Sequence, residues 1–532
     1  MKPFNIITRR SFLDGSFKLG LGVALGTLMD IPFVIKRALA EGTIGVPGLN
    51  GKPKKLLFIF LRGANDSLNS VIPIRDPAYA PNRPTIGIPS DLGVDYSAVT
   101  GVADFPQSSS LSTDANYGTY SYANAIRLGN GFAALHPSLK FLAPVYNAGQ
   151  LALVHRVAYP KQSRSHFDSQ SYWENGAPNN NILKEGILYR TMIESGLAHS
   201  APLTGVSIQS ALPLILRGSG AAMTNLTDPT RYNLLGLPNT TAGNTNADNA
   251  IIAANNYPFP DKQNRELLAL QYQNMTQTLS IFAGIDFSEA GNTFVDDVST
   301  DGDLAPYNLF PTTNAKNGGY AQHGNDTKKF VVDSGAYSLF TNLKAAALVL
   351  NKTNAIVAGT EYSGFDTHNN QGSTSGTHAN LNSRLAWAMY ALKKYFTNYA
   401  DNCDWNDVVV ITLSEFGRTT IENGNKGTDH AEAGVMFVAG GGVHGGTFGC
   451  NTSDSVPWIP DNGGTMFGVS GRYLKRAIDY RSVLGNLVRD HLGATQNQLY
   501  RIIPGYATEP ELKTGGASGV DGTTIMGEIG LV

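Results

Sequence analysis

Residues Asp407–His430 read DVVVITLSEFGRTTIENGNKGTDH. Val408 to Leu413 is a short apolar run rich in β-branched residues, the pattern of a strand buried on both faces of a parallel sheet. It stops at Ser414, Glu415, Phe416, Gly417 and Arg418. The carboxyl ends of such strands are where open α/β sheets place their ligand crevice. A polar, glycine-rich loop leads to Asp429 and His430, and a second apolar run, Gly434 to Ala439, begins almost at once. If the two strands are neighbours, they deliver Glu415, Asp429 and His430 to one place. A plainer reading pairs Glu415 with Arg418 and leaves Asp429 and His430 as loop polars. The clustering favours function, because titratable groups gather at functional sites.

The same plan recurs along the chain. Lys55 to Leu61 is a strand that runs into RGANDSLN, residues 62–69. Asp66 there is a candidate metal ligand supported by Ser67 or Asn69, or else an Asx turn. Leu151 to Val157 is a strand followed by SRSHFDSQSYWENG, residues 163–176, a loop entering a helix. A helix start offers free N–H groups to an anion. Arg164, Ser165 and His166 can hold or attack a phosphate-like group, and Ser165 can equally be an N-cap. Ala355 to Thr360 is a strand followed by GFDTHNNQ, residues 364–371. Asp366 and His368, two apart, can both reach one metal. Helices are expected over 136–147, 183–195, 337–351 and 378–399, and from an N-cap at Asp479 to Gly493. The stretch 201–337, rich in Asn, Thr, Gly and Pro, reads as an insertion or cap with one amphipathic segment at 262–282. The glycine-rich tail past Pro504 is expected to be loose.

The 532-residue chain suits two or three average domains or one elaborated α/β domain. Its net charge of -2 and lack of any Lys/Arg tract argue against nucleic acid as a partner. The N-terminus carries Thr8-Arg9-Arg10-Ser11-Phe12-Leu13, a short glycine-containing apolar stretch and Ala38-Leu39-Ala40. This is the layout of a twin-arginine (Tat) signal at 1–40, cut before Glu41. Its apolar core is too short for a membrane span, and no later segment approaches one. The expected setting is periplasmic or extracellular, with the Tat translocase as the partner in export. That route carries folded proteins, which suits a metal loaded beforehand. Cys403 and Cys450 could form one disulfide. The absence of CxxC and CxxCH argues against a zinc ribbon or c-type haem.

The motifs RGANDSLN, LHPSL, RSHFDSQSYWENG, FDTH, SEFGR and GTDHAEAG, in this order, resemble a large bacterial family of Tat-exported proteins of unknown function, number 1501 among the domains of unknown function. The likeness runs from Lys55 to Gly493. That family is in turn similar to the alkaline phosphatase–sulfatase superfamily. The resemblance implies a doubly wound, mostly parallel α/β sheet flanked by helices, residues 41–532, with one or two divalent cations such as Zn or Mn at the strand ends. By the same likeness, Asp66 is the first-strand ligand and Asp366 with His368 the middle pair. Glu415 stands where an Asp-His pair is usual, and His430 with Asp429 matches the late histidine. Ser165 and His166 lie where the nucleophile starts its helix, with Ser67 as an alternative. Glu-Phe-Gly in place of Asp-His-Gly removes one imidazole and alters or empties a cation position. The implied activity is that of an exported metal-dependent hydrolase of phosphate or sulfate esters. Arg62, Arg164 or Arg418 would grip the non-reacting oxygens of a small anionic ester. The alternative is a non-catalytic periplasmic or envelope binding protein with a degenerate site. A Ser-His-Asp hydrolase is disfavoured, because no GxSxG elbow is present.

Overall fold

The computed structural model describes residues 44–45, 54–89, 125–128, 133–196, 203–221, 223–227, 249, 278–287, 309–311, 334–458 and 472–532. Residues 1–40, read above as a Tat signal, and most of 201–337, with nearly all of the 262–282 stretch, lie outside these residues.

Nine strands form one sheet: β1 (Lys55–Arg62), β2 (Leu151–Ala158), β3 (Gly205–Ile208), β4 (Thr224–Leu226), β5 (Val357–Ser363), β6 (Val408–Ser414), β7 (Gly434–Gly440), β8 (Gly446–Phe448) and β9 (Ile478–Asp479). Their order is β8-β2-β7-β6-β1-β5-β3-β4, with β9 also against β2. The sheet is mixed: β7 runs antiparallel to β6 and β2, and the other pairings are parallel.

The central strands are apolar throughout because both of their faces are covered. Leu57, Ile59 and Leu61 of β1 and Val408 and Val410 of β6 face one core. That core is built from α3 (Tyr337–Lys352) and α4 (Thr377–Asn398), with Leu343, Leu348, Leu385 and Trp387. Their alternates Leu56, Phe58, Phe60, Val409, Ile411 and Leu413 face the other. There they meet Trp173 of α1 (His166–Asn175), Leu188 of α2 (Ile187–Glu194) and Val483 of α5 (Tyr480–Asn486). Period-two alternation thus feeds two cores from one run of apolar residues.

One expectation needs correction, and one question that the sequence left open is answered. The tail past Pro504 is packed: Leu512, Ile525 and Leu531 are buried in the α5-side core. A scattering of apolar residues among the glycines is enough to dock it. Cys403 and Cys450 are both buried free thiols, so no disulfide joins them.

Because β1, β2, β5 and β6 run the same way, their carboxyl ends share one edge of the sheet. The antiparallel β7 starts at that edge, which brings His430, just before it, alongside the others.

Candidate metal centre

Two loops and one helix start build the site. After β5 the chain turns tightly, with Thr367 N–H on the Phe365 carbonyl (2.8 Å) and His368 N–H on that of Asp366 (3.1 Å). This sets Asp366 and His368 on the same rim. Beyond β6 the chain stays paired to the approach of β7. Gly417 N–H donates to Glu432 O (2.7 Å), Ala431 N–H to Gly417 O (3.0 Å) and Thr419 N–H to Asp429 O (2.9 Å). Only glycine fits at 417, where a Cβ would lie 1.9 Å from the Ala433 carbonyl oxygen. His430 is thereby fixed across from Arg418. His166 is the first residue of α1, and Ser165 is its N-cap, accepting from the Asp168 N–H.

Three imidazoles and one carboxylate converge. His430 Nε2 lies 3.0 Å from His166 Nε2 and 2.9 Å from His368 Nε2. Asp366 Oδ1 is 3.1 Å from His368 Nε2, 3.3 Å from His430 Nε2 and 3.5 Å from His166 Nε2. Ligand atoms 2.0–2.1 Å from a tetrahedral centre stand about 3.4 Å apart. The far nitrogens decide the tautomers. His430 Nδ1 faces the Arg164 carbonyl (2.9 Å), which can only accept, so that nitrogen carries the proton. His368 Nδ1 likewise faces Asp429 Oδ1 (3.2 Å), and His166 Nδ1 faces Glu415 Oε1 (2.8 Å). Each neutral ring therefore turns an Nε2 lone pair inward, towards the carboxylate oxygen. Arg418 offers N–H groups to Asp366 Oδ1 and, at 3.5 Å, to His368 Nε2, but the close contacts of His430 Nε2 with the other two Nε2 atoms still need a cation or a shared proton between them. Carboxylate or carbonyl partners on the outer nitrogens are what metal-binding histidines have.

The electrostatics point the same way. The hydrogen bond that His166 donates to Glu415 raises the His166 pKa, against burial. Burial, then Arg418 and His166, lowers that of His430. Burial works to raise the Asp366 carboxyl, but the Arg418 hydrogen bond and charge hold it below the usual range. Without a cation, a proton on His166 relieves the cluster. The site is open, with the Asp366 side chain 47% and that of His430 28% exposed.

Of the residues singled out by sequence, Asp366, His368 and His430 lie together. His166 joins them through its ring nitrogen. Glu415 and Asp429 are present but turned to the outer nitrogens. Glu415 Oε1 also accepts from Gly63 N–H (2.8 Å), and Asp429 Oδ2 meets Arg472 (2.6 Å). Glu415 does not pair with Arg418. That guanidinium is fully buried, bonded to the carbonyls of Gly63, Ala64, Phe365 and Thr428 and to Asp366, and its remaining Nη1 N–H points at His368 Nε2 (3.5 Å), which leaves no donor for a substrate. Asp66 has other partners. Fully buried, it is held by Arg83 at 2.6 and 3.0 Å and by Gln371 at 2.6 Å. Arg62 is committed to Glu174 and Glu361. Arg164 is exposed, its guanidinium 4.3 Å from the Tyr473 ring centre. Ser67 is buried. Arg83 and Arg472 escaped the sequence reading, since neither lies in a motif or at a strand end, and Gln371, the last residue of the stretch quoted after Thr360, was given no role there.

No curated protein and no solved structure matches the chain. Residues 316–456, which supply Asp366, His368, Glu415, Arg418, Asp429 and His430, match the family described as "Protein of unknown function (DUF1501)".

Proposed function

We propose that His166, Asp366, His368 and His430 bind one divalent cation and that the protein is an exported metal-dependent hydrolase of phosphate or sulfate esters. The observation that carries this reading is the convergence of three Nε2 lone pairs on a carboxylate, with every outer nitrogen held by an acceptor. An imidazole-rich set suits Zn, Fe or Mn more than Mg or Ca. When bound, such a cation polarises an ester oxygen and acidifies its own water. One cation is favoured over two, because Asp66 is wholly buried with Arg83 and Gln371 on its oxygens, whereas Asp366, although it also meets Arg418, keeps an exposed face beside the imidazoles. Arg164, exposed beside His430, is free to bind the ester's non-reacting oxygens. Ser165, bonded to the helix start, is a weaker candidate for nucleophile than water.

Metal analysis of the purified mature chain is expected to give close to one equivalent, lost in His430→Ala. Hydrolysis of p-nitrophenyl phosphate or sulfate should vanish with it and return on adding metal to the wild type. A chain that holds the metal but is inert supports the binding-protein reading. A metal-free, inert chain overturns the hydrolase reading and supports a binding protein with a degenerate site. Export rests on Arg9-Arg10 and Ala38-Leu39-Ala40. Arg9→Lys with Arg10→Lys should trap the precursor in the cytoplasm, and the exported chain should begin at Glu41. Normal export of that double variant refutes the Tat assignment.

A further inference from the structure

We infer that Gln371, which no sequence motif singles out, is a positioning residue that staples the two ligand loops of the proposed cation site together. The inference rests on that cation reading. Gln371 is fully buried. Its Oε1 accepts from two hydroxyls, those of Thr367 (2.8 Å) and Thr428 (2.8 Å). Thr367 stands between Asp366 and His368, and Thr428 stands two residues before His430. One amide oxygen therefore ties both loops, and Thr428 N–H completes the tie on the Thr367 carbonyl (3.1 Å).

The amide can point only one way. Its Nε2 donates to Asp66 Oδ2 (2.6 Å), and an ionised carboxylate cannot donate in return. Arg83 anchors Asp66 and also bonds the carbonyls of Thr419 (2.7 Å) and Thr420 (3.0 Å). Thr419 is the residue whose N–H meets the Asp429 carbonyl. The buried Asp66–Arg83 pair thus fixes Gln371 from below, and Gln371 fixes the separation of His368 and His430. Partners behind the ligands typically tune metal affinity by about 10–100-fold.

Gln371→Met keeps the volume and removes both halves of the staple. In the full mature chain loaded with Co²⁺, it is expected to weaken affinity about 10- to 100-fold by chelator competition and to shift the visible Co²⁺ absorption. Thr428→Val should act in the same direction and non-additively with it, and it serves alone if Gln371→Met does not fold. Affinity and spectrum indistinguishable from wild type in a folded variant overturn the inference. If the wild type itself binds no cation, the cation reading falls, and hydrogen exchange still tests the staple. Faster exchange of the Thr428 amide in Gln371→Met supports it, and unchanged exchange overturns it.

Discussion

Arg83→Met is expected to destabilise the protein by about 3–5 kcal/mol at neutral pH, the range for stripping one partner from a buried ion pair. Asp66 and Arg83 are both essentially inaccessible, and the guanidinium meets the carboxylate along two bonds. Burial by itself pushes the Asp66 carboxyl up, and Arg83 reverses this and holds it below its ordinary value. A depressed carboxyl adds stability above its unfolded pKa of 3.8 and loses it as pH falls through the folded value. In Arg83→Met the burial remains and the reversal goes. The deficit should therefore be largest near neutrality and shrink on acidification, as the carboxyl takes up a proton. Asp66→Asn in the same chain removes the stranded charge while leaving an acceptor for Gln371, so the double variant should recover part of the loss. Denaturant unfolding of the three chains at two pH values makes the comparison. An Arg83→Met protein as stable as wild type would show that the pair is not a clamp.

That pair also marks how far the sequence could be read. The strands were legible because Lys55–Arg62 and Val408–Ser414 must be apolar on both faces, and so stand out as unbroken runs. Asp366, His368 and His430 were legible because they abut such runs. The direction of β7 was not, since the loop from Glu415 to Ala433 is long enough to return the chain either way. Roles were harder than places. A carboxylate that binds a cation and one that orients an imidazole are the same residue in a sequence, so Glu415 and Asp429 read as ligands. The turn of the His166 ring towards the other imidazoles was hidden, because it depends on Glu415, 249 positions away. The surroundings of Asp66 were hidden for a related reason. Its partner Arg83 lies in a turn-rich stretch with no period, so nothing there signalled that the carboxylate was already neutralised.

Stability should also fall steeply as the solution is acidified from pH ~6.5 towards ~4, before most carboxylates titrate. Among the described residues, four histidines outside the site are buried: His136, His155, His378 and His491. Each has a ring nitrogen on an oxygen acceptor, namely Ser373 O (3.0 Å), Val71 O (3.2 Å), Asn65 Oδ1 (3.0 Å) and Lys55 O (2.8 Å). In His136 and His155 the second nitrogen accepts from a backbone N–H, of Ser138 (3.0 Å) and Arg156 (2.9 Å), so a second proton would face a donor. Burial is the largest cause, and it lowers His136 to about 3 and each of the others to about 4, from 6.5. A histidine depressed on folding contributes stability that is fully present above pH 6.5 and is lost as pH falls, because the unfolded chain then binds the extra proton. Each group adds a slope of at most about 1.4 kcal/mol per pH unit, so the four together approach about 5. The His136 and His378 rings are 6.0 Å apart and oppose each other's charging, which keeps both neutral in the fold. Denaturant midpoints taken between pH ~7.5 and ~5, with chelator present so that proton-linked metal loss at the site does not contribute, should drop throughout the acid half of that range. His491→Gln should remove about a quarter of the slope. A stability that stays level down to pH ~5 would mean that these rings are already charged in the folded protein, or never need to be.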